Sequence, residues 1–129
     1  MAGSKLDGAG MAKMTTLDDC VVLHQRLHAL VESYALSVKN NKPAGGILTN
    51  IKRQFPSLAA KLKGQFGMIS DLVTSIAMQA TRGSSEQMRV RQMREGMAAI
   101  KVQLESAITQ TLAKHELKEG SGKGEAGSG

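Results

Sequence analysis

The amino-acid sequence predicts an all-α fold: an up-down antiparallel bundle of three long helices, with a short proline-broken helix before the second. Three observations carry this. Apolar residues recur at steps of three and four through most of the chain, the spacing of one helix face. No segment alternates at period two long enough to form a strand. Aromatic residues are 2% of the 129, with one Tyr, two Phe and no Trp, whereas sheets are filled by aromatic and β-branched side chains. Hydrophobic residues at 41% are enough for a packed core.

The ends differ from the middle. Residues 1–14 hold three Gly and no apolar periodicity, and are expected to be a disordered N-terminal segment or tag remnant. Residues 119–129 read as a flexible Gly/Ser-rich C-terminal linker, of the kind that tethers a partner peptide. Residues 15–118 are expected to form a single helical-bundle domain.

The first helix is predicted to open at Thr16 as cap, with Asp18 and Asp19 against the positive end of the dipole. Its apolar stripe is Cys20, Leu23, Leu27, Leu30, Val31, Tyr34 and Val38, and the Asn40–Gly46 breakers stop it near Lys39. The next apolar set runs Leu48, Ile51, Phe55, Leu58, Leu62, Phe66, Ile69, Val73, Ile76 and Ala80. Pro56 disfavours helical geometry in the residue before it. A short helix at 46–54, a kink at Phe55 and a long helix from Pro56 to Arg82 follow. Gly64 and Gly67 each weaken that helix by up to about 1 kcal/mol relative to Ala, or admit a neighbouring helix closely. Gly83 is placed to cap its end. Ser84-Ser85-Glu86-Gln87 then reads as a capping box. The last helix runs from Ser85 to about Leu117 on Val90, Met93, Met97, Ile100, Leu104 and Ile108.

Two helices carry a second apolar stripe. The first has Val22, Ala29 and Leu36; the last has Met88, Ala99, Val102, Ala113 and Leu117. A single-faced surface helix is polar there, so the stripes point to a groove for another helix. Net charge is +6. Between Glu32 and Asp71 there is no acid, only Lys39, Lys42, Lys52, Arg53, Lys61 and Lys63. A second basic group, Arg82, Arg89, Arg91 and Arg94, opens the last helix. In a three-helix topology the two groups fall at opposite ends, which disfavours one continuous nucleic-acid face.

Candidate chemistry is sparse. Cys20, His24 and His28 lie four apart on one helix ribbon, with His115 elsewhere, and are weak candidates for zinc. Cys20 begins the core stripe and reads better as a small buried hydrophobe. Catalysis by Cys20 and His24 lacks an orienting group. No phosphate-binding Gly loop or dinucleotide fingerprint is present. Ser84 and Ser85 stand beside arginines at a helix start, where a phosphate would be favoured, but ordinary capping explains them. No enzyme activity, cofactor or metal is expected. The single Cys fits a reducing compartment, and no apolar run reaches the roughly 20 residues of a membrane span. An intracellular location follows as an expectation, cytoplasmic or nuclear.

The pattern therefore predicts a non-enzymatic protein–protein interaction domain of an adaptor or scaffold. It would bind an amphipathic or acidic helical segment in an apolar groove. Val22, Ala29, Leu36, Met88 and Val102 are the expected apolar contacts, flanked by Arg89, Arg91, Lys52, Arg53, Lys61 and Lys63. Two alternatives use the same features: homo-oligomerisation through the second stripes, and binding of nucleic acid or an anionic membrane through the basic 39–63 region.

Overall fold

The structure, a computed structural model, describes residues 5–82 and 85–117. It contains four helices: α1 (Gly8–Lys39), α2 (Gly45–Lys63), α3 (Gly67–Thr81) and α4 (Glu86–His115). α1 packs on α2 and α4, and α3 packs on the same two, so the helices form an antiparallel up-down ring. The predicted all-α bundle is what forms; the helix count is not.

The difference lies in the middle of the chain. The predicted division into a short helix at 46–54 and a new helix from Pro56 does not occur: α2 runs from Gly45 to Lys63 with Pro56 inside it. The chain reverses instead at Gly64–Phe66, where the Phe66 N–H returns to the Leu62 carbonyl and Phe66 leaves helical geometry at φ −136. Two glycines bracket this turn, and glycine is the cheapest residue to take out of a helix. What reads as one long helix from Pro56 to Arg82 is therefore part of an α2–α3 hairpin. Leu62, Phe66 and Ile69 keep helical spacing across the turn because both arms bury the same face. No other residue approaches within 4 Å of a side chain added at Gly64 or Gly67, so neither serves close packing. The close approaches occur at Gly10, against His115, and at Gly96, against Ile76.

α1 also begins earlier than expected. Asp7 caps it, its carboxylate accepting the Gly10 N–H at 2.7 Å, and residues 8–14, predicted to be disordered, are helical. Thr16 is not a cap: its hydroxyl meets the Ala12 carbonyl and the Gln65 side chain. The first turns are held by tertiary contact, with Leu17 buried and Met14 packed on the core. The stop near Lys39 forms as predicted; Asn41 takes φ 54, a left-handed conformation that Asn tolerates. α4 is capped by Ser85, whose hydroxyl accepts the Met88 N–H at 3.1 Å. Gly83, Ser84, residues 1–4 and the expected linker beyond residue 117 lie outside the described residues.

The core is aliphatic. Leu17, Leu27, Val31 and Tyr34 of α1 meet Ile51, Phe55, Leu58 and Leu62 of α2, Val73 of α3, and Met93, Met97, Ile100 and Leu104 of α4. Each such burial is worth about 1.5–3 kcal/mol, and this removal of aliphatic surface is the main force on the fold. α4 stops at His115, short of Leu117, and Glu116–Leu117 (β2) forms a two-residue antiparallel bridge with Lys5–Leu6 (β1), Lys5 opposite Leu117. Asp7 Oδ1 also accepts the His115 Nδ1–H at 3.1 Å, and Lys13 donates to His115 Nε2 at 3.1 Å. These bonds tie the start of α1 to the end of α4.

Candidate functional site

Four alternating helices change where the charges lie. α1 and α3 end where α2 and α4 begin. The α1–α2 loop, the upper part of α2, the end of α3 and the start of α4 therefore share one end of the bundle. Residues 30–53 and 78–95 bring Lys39, Lys42, Lys52, Arg53, Arg82, Arg89, Arg91 and Arg94 there, against Glu32, Glu86 and Glu95. The expectation of basic groups at opposite ends is thus corrected: the one additional reversal, at Gly64–Phe66, puts them together. Lys61 and Lys63, at the lower end of α2, do not join them, and Lys61 pairs with Asp19 at 3.6 Å.

At this end a groove of about 710 Å³ opens between α1 and α4. Ala35, Leu36, Val38 and Val90 supply its apolar lining; Glu32, Lys39, Asn41, Gln87 and Arg94 supply the polar part. Arg94 grips Glu32 through two hydrogen bonds of 2.9 and 2.8 Å. That contact holds the Glu32 carboxyl below its usual range, so the pair is charged at neutral pH. Arg89 donates to the Tyr34 hydroxyl at 3.0 Å, and Arg91 pairs with Glu95 at 3.3 Å.

Of the predicted apolar contacts, Leu36 is 59% exposed and lines the groove. Val22, Ala29, Met88 and Val102 are also exposed, but they are not among the groove residues. Sequence reasoning placed Val38 and Val90 on the core stripes, where they do pack half-buried against the core, and Arg94 in the second basic group, and assigned none of the three to the groove. Their signal was position: each valine closes a core stripe at a helix end, where the bundle has no further layer to cover it.

A second α1–α4 groove, about 380 Å³, lies nearer the middle and contains His24, His28, Lys101 and Glu105. His24 is buried, its Nε2–H donating to the Met97 carbonyl at 2.9 Å, and burial pushes its pKa down. His28 stacks on it, ring centroids 6.4 Å apart. Parallel rings do not converge on an ion, and Cys20 points into the core, where burial pushes its thiol up to about 11. Among the described residues no group of three His, Cys, Asp or Glu side chains is arranged to hold a metal. No helix among them is long and apolar enough to cross a membrane.

Comparison with protein-family models, with curated proteins and with solved structures finds no match to this chain.

Proposed function

We propose that this domain acts by binding rather than catalysis, and that the α1–α4 groove receives an amphipathic helical segment of another, intracellular protein. The observation that carries this is the exposed Leu36 set beside half-buried Val38 and Val90 and buried Ala35 in one groove, at the end of the molecule where cations outnumber acids. A helix laid there would bury its apolar face on Leu36 and turn acidic residues toward Lys39 and the neighbouring arginines. The exposed Leu36, unlike a core residue, has no structural role that explains a large apolar side chain.

A photo-crosslinking residue at position 36 of the full chain tests this in cells. The expected product joins position 36 to an acidic, amphipathic segment of a different protein, and Leu36→Asp abolishes that association while Val102→Asp leaves it. A crosslink to a second copy of this chain would replace the reading with self-association.

A further inference from the structure

We infer that the cationic end of the bundle, which shares Lys39 with the groove, is a second binding surface that takes the phosphate backbone of double-stranded nucleic acid without regard to sequence. The charges of the molecule are divided unequally. At the opposite end, residues 7–29, 54–77 and 96–116 balance Lys13, Arg26, Lys61, Lys63, Lys101 and Lys114 with six acids. Six cations and six acids leave that end without net charge, and Lys61 pairs there with Asp19 at 3.6 Å. At the cationic end Lys39, Lys42, Lys52, Arg53 and Arg82 are all exposed and have no ion-pair partner among the described residues. They come from two helices and two connections, so they do not line a single helix.

The kind of polyanion follows from what surrounds these cations. The described aromatic side chains are unavailable: Tyr34 and Phe55 are buried and Phe66 lies at the other end. A surface that held single strands would stack bases on exposed rings, and this one has none. The Asn40–Gly46 loop that crosses the end carries no large apolar side chain to enter a bilayer. The exposed apolar side chains of this end, Leu36, Met78 and Met88, are single residues on three different helices, whereas its cations outnumber its acids eight to three, which suits a surface of fixed, closely spaced phosphates. A two-by-two array of helices is about 20 Å across, and that length of duplex carries about twelve phosphates. Five cations can each find one.

The test is fluorescence anisotropy of the full chain with a labelled DNA duplex of mixed sequence, about two helical turns long. Binding is expected at low salt, with affinity falling as salt rises at a log–log slope of about −3.6 to −4.5, the value for four to five phosphate contacts. The triple variant Lys42→Glu, Lys52→Glu, Arg53→Glu is expected to lose at least about tenfold in affinity and to flatten the slope. The control Lys101→Glu, Lys114→Glu changes the net charge in the same direction at the balanced end and is expected to bind nearly as the parent does. Circular dichroism of each variant confirms that the helices persist. Equal losses in both variants would show diffuse attraction to a basic protein and overturn the inference. So would no duplex binding, tighter binding to single strands, or binding only to phosphatidylserine vesicles. Leu36→Gln, which adds no charge beside Lys39, is expected to leave duplex binding unchanged, so the phosphate surface and the apolar floor of the groove stand or fall separately.

Discussion

Gly96 stands where α4 meets Ile76 of α3, and a Cβ there would lie inside contact distance of the Ile76 Cγ2 methyl. Both partners are on rigid helices, so the clash is relieved only by separating them. Gly96→Ala is expected to destabilise the fold by about 1–3 kcal/mol, the usual cost of overpacking, read from urea unfolding. Gly64→Ala is the contrast: φ is −74 and the space is open, so restricting the unfolded chain gives a gain of about 0.4–1 kcal/mol. His24 behaves differently again. Buried and hydrogen-bonded as a neutral ring, it stays unprotonated below the ordinary value of 6.5, while the unfolded chain takes up a proton there. The stability it contributes is full above pH 6.5 and is lost as the pH falls from there toward the folded value. Asp7 and Glu32, both held below their ordinary values, lose theirs only at lower pH, below about 4.5. His24→Gln should therefore flatten the unfolding midpoint between about pH 7 and pH 5 and leave the acid limb intact.

The lesson about helices comes from α2 and α3. Pro56 is the loudest signal in the sequence, and it sits inside a continuous helix; Gly64 and Gly67 are quieter, and the chain turns between them. Proline removes one hydrogen bond, to the Lys52 carbonyl, but Ile51, Phe55, Leu58 and Leu62 are all buried on the same face, and that burial outweighs the loss. Pro56→Ala restores the bond and is expected to raise stability by up to about 2 kcal/mol, the interior cost of proline less its restriction of the unfolded chain; an unchanged midpoint would show that the carbonyl is already satisfied by solvent. Periodicity made α1 and α4 legible to within a turn at the Lys39 and Ser85 boundaries, where breakers and caps agree with the apolar stripe. It could not separate one helix from a hairpin, because a stripe records which face is buried and not whether the axis reverses. The first turns of α1 were illegible for the opposite reason: Gly8 and Gly10 predict coil, and the Asp7 cap together with tertiary contacts holds them in a helix.

On the scale of the whole molecule, one missed reversal changed the functional geometry more than any single residue did. Three long helices separate the basic groups; four bring them together. The composition already contained the net charge, and the acid-free stretch already located much of it. Which end each cation occupied depended on a turn that the apolar pattern conceals. The groove was partly legible for the same reason: Leu36 was visible as an apolar residue off the core stripe, whereas its neighbours Val38 and Val90 were hidden within it.

The bridge between Lys5–Leu6 and Glu116–Leu117 has a consequence for how the molecule stands relative to whatever it touches. It gathers the two outlets of the described chain at one pole, and the cations crowd the other. With 32 residues at 1.5 Å each, α1 alone separates those poles by about 48 Å. A cargo fused at either outlet would be held that far from a surface gripped by the opposite pole, at a fixed stand-off set by helix length, and both outlets would point away from it. The bundle is thus built as a rigid post with a foot and a head, and its length is a measurement that any joined partner would inherit.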